Sequence, residues 1–221
     1  MSKDDVAKAV LGQLPAALAE TVSLATPLTM SRIEGQDEAA AVLREIAESL
    51  RICEQEFIAN DDERAFVTFV CTGQGGEVGL FAVLTKGSEG TYSAVDLYAR
   101  PGPFVKMVRD HLAVSDERFR ELVSVILKAV GEIAGAPRFR VVSRFGEAYV
   151  VMFDATVHGN TWQLAGVYGL DDAGKIADMR LYSRPWPVTA FFRGEAYKLM
   201  RDQFGPEYWQ GENPLVTLGE A

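Results

Sequence analysis

At 221 residues, 48% hydrophobic and 24% charged, the chain has the composition of a globular protein with enough apolar content for a core, which excludes a disordered polymer. A net charge of −9 excludes a protein that grips nucleic acid by its phosphates or docks on anionic lipid, because both need clustered Lys and Arg. No apolar run approaches the roughly 18 residues of a membrane span, and the opening Met1-Ser2-Lys3-Asp4-Asp5 is acidic where a secretion signal is basic, so a cytoplasmic protein is expected.

In chain order, Val6, Val10, Leu11, Leu14 and Leu18 lie at helical spacing and predict leading helical structure that Pro15 restarts and Pro27 ends. Val42, Leu43, Ile46 and Leu50 predict a further helix. Ala65 to Thr72 reads as a strand, Gly73 to Gly76 as a turn, and Val78 to Leu84 as the returning strand. A second turn, Lys86 to Gly90, leads into a strand through Leu97-Tyr98-Ala99-Arg100, which Pro101 and Pro103 end. A short helix, Phe104 to Leu112, follows.

The same series then begins again. Phe119, Leu122, Val123, Ile126, Leu127 and Val130 predict a helix, with Ser115 as its cap and Asp116 and Glu117 in the first turn, where the helix dipole favours them. Strands are expected at Tyr149 to Val157 and Thr161 to Gly169, and a closing strand runs to Arg184-Pro185 before a helix from Val188 to Met200. Residues 201–221 carry Phe204, Tyr208 and Trp209 and then a Gly, Asn and Pro stretch.

The recurrence has a fixed spacing of 84 positions. Leu97-Tyr98-Ala99-Arg100-Pro101-Gly102-Pro103 falls on Leu181-Tyr182-Ser183-Arg184-Pro185-Trp186-Pro187, and 13 of the 44 positions from 66 to 109 are identical to their counterparts. Residue frequencies alone would give about 3. The expectation is a tandem duplication of one α+β unit. The first unit covers residues 1–112 with complete N-terminal helices, and the second covers 113–221, without leading helices but with a C-terminal tail.

Two stretches carry a resemblance. The turn Asp171-Asp172-Ala173-Gly174-Lys175-Ile176 runs into a strand ending Tyr182-Ser183-Arg184-Pro185, and Thr26-Pro27-Leu28 precedes Ile33-Glu34-Gly35-Gln36-Asp37 and a helix. Both resemble the nuclear transport factor 2-like superfamily, which includes SnoaL-like proteins. The resemblance implies an α+β cone in each half, with helices packed on a strongly bent antiparallel sheet around an apolar pocket. It also implies an intramolecular pseudo-dimer, self-sufficient as a monomer, whose first copy keeps the more closed cavity. Residues 195–221 would lay Phe204, Tyr208 and Trp209 over the open mouth of the second.

Strand alternation puts Asp178, Arg180, Tyr182 and Arg184 on one face of the closing strand and Met179, Leu181 and Ser183 on the other. One reading is a solvated or partner-packed polar row. The other is a site in the second pocket. There Asp154, which interrupts the apolar run Val150 to Ala155, acts as general base, Arg180 or Tyr182 stabilises an oxyanion, and Trp162 and Tyr168 form the ligand wall. The expected function is binding of a small apolar or amphipathic, polyketide-like molecule, with acid–base chemistry of the isomerase, cyclase or hydrolase type. The alternative is a non-catalytic scaffold whose pockets are filled by side chains.

His158 is expected in a hairpin turn and His111 near a helix end. With only Cys53 and Cys71 besides, matching no zinc or redox spacing, no metal or other cofactor is expected. Asp96 stands where its counterpart is Arg180, so the two are expected to meet between the copies, while Arg100 and Arg184 are expected to serve architecture at strand ends.

Overall fold

A computed structural model describes residues 12–50, 52–73, 76–204 and 208. Val6, Val10, Leu11 and Trp209, named above, lie outside the described residues, as do Gln74 and Gly75 of the first turn. The chain is α+β and divides into two compact units, the first closing at Pro101 and the second opening at Gly102. No described helix is long and apolar enough to cross a membrane.

In the first unit a single 3-10 turn, Leu14–Ala17, leads into β1 (Leu18–Ala25), β2 (Ile33–Glu34) and α1 (Gln36–Ser49). Four strands follow, β3 (Ile52–Asn60), β4 (Arg64–Gly73), β5 (Gly76–Lys86) and β6 (Tyr92–Pro101), paired antiparallel in that order. Gly35 opens α1 at φ 95°, a left-handed conformation that favours glycine, and Asp37 and Glu38 sit in the first turn. The helix buries Ala39, Ala40, Leu43 and Ile46 against alternate residues of the sheet, among them Val67, Phe69, Leu80, Ala82, Val95 and Leu97.

The N-terminal expectation is corrected here. Residues 18–25 form a strand, pairing parallel with β6 and antiparallel with β2. Leu18 and Val22 suit a helix, but Val22 and Leu24 suit a strand equally well. The choice falls to the backbone groups that β6 offers at Tyr92 and Ala94 to Asp96.

The second unit has α2 (Gly102–Val114), α3 (Asp116–Ala134), β7 (Arg138–Phe145), β8 (Ala148–Val157), β9 (Asn160–Leu170), β10 (Ile176–Arg184) and α4 (Trp186–Met200). Its strands are antiparallel in the order β7-β8-β9-β10. Ser115 caps α3 by accepting from the Arg118 backbone N–H at 3.3 Å. Among the described residues, α2 and α3 both precede the second unit's strands, whereas α1 lies between β2 and β3 of the first. Residues 102–112, assigned by the repeat to the first copy, send Met107 and Val108 into a core shared with Phe119, Leu122, Trp162 and Met179.

Strand bounds recur at the 84-residue spacing: β4 starts at Arg64 and β8 at Ala148, and β5 spans Gly76–Lys86 where β9 spans Asn160–Leu170. So do the irregularities. Glu56 is the extra residue of a bulge in β3 and Arg140 of one in β7, while Ser93 and Ala177 mark register shifts in β6 and β10.

Candidate functional site

The α3 helix covers one face of the second sheet, and alternation decides what it meets. On β8 that face carries Tyr149, Val151, Phe153 and Ala155; on β9, Trp162, Leu164 and Tyr168; on β10, Met179 and Leu181. Toward one end the layers part and leave a cavity of about 460 Å³. Its helical side is Leu127, Val130 and Gly131, with Gly135 and Pro137 on the loop into β7. Its sheet side is Phe139, Tyr149, Val151, Phe153, Tyr168, Leu170 and Ile176.

The loop exists because α3 stops at Gly135, where φ is 62° and a side chain would be strained, and Pro137 follows shortly after. Phe139 then packs beside Phe153 with ring centroids 5.8 Å apart. Phe139 and Leu127 stay 61% and 47% exposed, so the apolar lining continues out to the surface at the mouth.

Two phenols supply the polarity. Tyr168 makes no side-chain hydrogen bond among the described residues, and burial pushes its hydroxyl up to about 12. It therefore remains a neutral donor at physiological pH. Tyr149 lies under Arg144, whose guanidinium carbon is 5.6 Å from the ring centroid. The described lining holds no carboxylate, histidine or cysteine.

Of the five residues singled out from the sequence, Tyr168 alone lines this cavity. Trp162 shares its face but is buried elsewhere in the core, stacked on Phe192 at 4.1 Å with its Nε1 donating to Thr189 Oγ1 at 3.0 Å. Thr189 Oγ1 in turn lies 2.9 Å from Ser183 Oγ and 3.1 Å from the Pro185 carbonyl oxygen, to one of which it donates. Trp162 thus clamps α4 to the sheet.

Asp154, Arg180 and Tyr182 point to the opposite face. Gln163, opposite Asp154 in the ladder, donates to Asp154 Oδ1 at 3.0 Å, while Arg140 Nε reaches Oδ1 and Arg138 Nη2 reaches Oδ2, both at 2.9 Å. Arg180 pairs with Asp178 on its own strand at 2.7 Å, and Tyr182 is buried. The expectation that Asp154, Arg180 and Tyr182 share a pocket with Trp162 and Tyr168 is corrected. One position of strand offset turns a side chain through the sheet, and the register places the two sets on opposite sides.

Asp96 accepts from Arg32 at 2.7 Å, and Arg100, buried, pairs with Glu56 of the β3 bulge at 3.3 Å. The expected lid is corrected as well. Phe204 and Tyr208 pack on α2 instead of lining the cavity, Phe204 meeting the His111 ring at 5.2 Å and Tyr208 donating to Asp110 at 3.1 Å. Asp110 is held below the usual carboxylate range, chiefly by its hydrogen bond from Lys106. His111 Nδ1 sits 2.8 Å from the Met107 carbonyl oxygen, and His158 turns the β8–β9 hairpin with its ring edge against Phe191.

The sequence reading missed most of the lining. The available signal was parity on β8, where Tyr149, Val151 and Phe153 fall on one face and Asp154 on the other, together with an apolar stripe on α3 that includes Leu127 beyond the face that packs.

No protein-family model matches the chain, and no curated protein does. Among solved structures, the chain is similar to a protein with a cystatin-like fold from Silicibacter pomeroyi, at 21% identity and a TM-score of 0.40 over 57% of this chain and 84% of that one. It is also similar to a steroid delta-isomerase from Pseudomonas aeruginosa, at 14% identity and 0.40 over 55% and 86%. A nuclear transport factor 2-like protein of unknown function from Cytophaga hutchinsonii is similar at 12% identity and 0.35 over 48% and 96%.

Proposed function

We propose that the chain joins two nuclear transport factor 2-like units in tandem and that the second binds a small, mainly apolar molecule in the cavity between α3 and its sheet. The tandem reading is supported by 84-residue recurrence of strand bounds and, more specifically, of bulges, which are inherited features of a sheet rather than accidents of packing. The binding reading rests on one observation: a cavity of about 460 Å³, within the range of small-molecule sites, with apolar walls, two phenols and the exposed apolar side chains of Leu127 and Phe139 at its mouth.

This lining favours retention over proton transfer. A neutral Tyr168 can donate to a carbonyl, ether or hydroxyl oxygen of a ligand, and the surrounding side chains exclude water from that bond. An isomerase, cyclase or hydrolase would need a base in reach, and Asp154 lies across the sheet with both oxygens engaged. The open volume also speaks against a scaffold whose pocket is filled by its own side chains.

N-phenyl-1-naphthylamine, a neutral apolar fluorophore, tests the reading. Saturable one-to-one enhancement is expected with the native chain. Leu127→Trp, which places bulk at a half-exposed position of the mouth without disturbing the buried core, is expected to weaken it at least tenfold while leaving the far-ultraviolet spectrum unchanged. Equal binding by both proteins would reject the cavity as the site.

A further inference from the structure

The cavity is apolar, but its rim is not uniformly so. Beyond the bulge at Arg140, β7 turns Val142 and Arg144 to the same face as Val151 and Tyr149, their partners in the ladder. Val142 is 65% exposed and, with Phe139, extends the apolar surface of the mouth along the strand. Arg144 stands at the end of this track.

Its side chain is held but not satisfied. The guanidinium carbon lies 5.6 Å from the centroid of Tyr149, a wall of the cavity, and Nε donates to the Gly146 carbonyl oxygen at 2.9 Å. Ring and carbonyl orient the fork, and neither terminal nitrogen has a partner among the described residues. A planar fork of this kind matches a carboxylate through two parallel hydrogen bonds. The other cations of β7, Arg138 and Arg140, are committed to Asp154, which lies on the opposite face of the sheet.

We infer that the ligand is an amphipathic monoanion: an apolar body fills the cavity against Phe139, Phe153 and Tyr168, and a carboxylate at its end is taken by Arg144. The inference rests on the cavity reading and adds the head group to it. One arginine neutralises one charge, and on a protein of net charge −9 a multiply charged group such as a phosphate dianion would meet a repulsive field. Because Arg144 is exposed, its contribution is modest, of the order expected for a solvent-accessible ion pair.

The test compares decanoate with 1-decanol as competitors of bound N-phenyl-1-naphthylamine at pH 8, where the acid is ionised. Decanoate is expected to displace the probe at about fivefold lower concentration than decanol. Arg144→Met should erase that preference by weakening decanoate alone, and Arg144→Lys should restore part of it, since a point charge survives without the fork. Equal displacement by acid and alcohol in the native chain, or a preference untouched by Arg144→Met, would overturn the carboxylate assignment while probe binding left the cavity reading intact. Absence of probe binding, or binding indifferent to Leu127→Trp, would remove both.

Discussion

Tyr168 folds back over Gly166: a β-carbon at position 166 would fall 2.6 Å from Tyr168 Cε2. The two residues are two apart on β9 and share a face, so the bare glycine is what lets the phenol lie along the sheet as the cavity floor. Gly166→Ala is expected to push the ring off this position, costing about 1–3 kcal/mol by overpacking. The probe should also bind less tightly. Denaturant midpoints and a fluorescence titration read the two effects, and full-affinity binding by the variant would show that the ring's placement does not matter to the ligand.

Tyr168 also sets an alkaline limit. Its folded value of about 12 lies above the ordinary 10, so below pH 10 the phenol is neutral in folded and unfolded chains alike and contributes no pH dependence. Between about pH 10 and 12 the folded chain keeps a proton that the unfolded chain gives up. Stability should therefore fall as pH rises, by roughly 2–3 kcal/mol over the interval. Tyr168→Phe should lack this component, and parallel stability curves for the two proteins from pH 9 to 12 would contradict it.

Asp154→Asn should separate stability from binding. The change leaves Arg138 and Arg140 without their carboxylate and is expected to cost about 1–2 kcal/mol, since Asp154 itself is largely buried although Arg138 is exposed. Probe affinity should stay within a factor of two. A large loss of affinity with unchanged thermal stability would bring the opposite face of the sheet back as the functional one.

Thr189→Val removes the acceptor of Trp162 Nε1 while keeping the volume. A buried indole N–H without a partner should destabilise the second unit by about 1–3 kcal/mol. Chemical denaturation measures it. Trp162→Phe should cost less in this background than in the native chain, because the donor it removes is already orphaned.

Much of the local architecture was legible in the sequence. The β4–β5 and β8–β9 hairpins follow from β-branched runs meeting Gly-rich turns, the α3 cap from Ser115 ahead of Asp116 and Glu117, and the stops after β6 and β10 from Pro101 and Pro185. The start of β1 was not, because Leu18, Val22 and Leu24 satisfy two periods at once and only the neighbouring strand β6 breaks the tie. Nor was the ownership of α2, whose apolar face says that it packs but not on what.

For the candidate site, residue type misled where register decided. Asp154 stood out chemically as a lone carboxylate among apolar neighbours, yet its solution was a pair of arginines from β7, one of them a bulge residue that alternation alone would not have aimed at it. Trp162 looked like a ligand wall and proved to be a hydrogen-bonded clamp. The residues that do enclose the cavity are plain apolar ones, indistinguishable in sequence from those that fill a core.

By itself the sequence determined an α+β chain with a repeated order of elements, because period, turn chemistry and an 84-residue self-match are properties of neighbouring or fixed-offset residues. Only the tertiary structure decided which face each strand turns to α3, and that the layers part beside Tyr149 and Tyr168. A cavity is the volume that distant segments fail to fill, and no single segment carries that information.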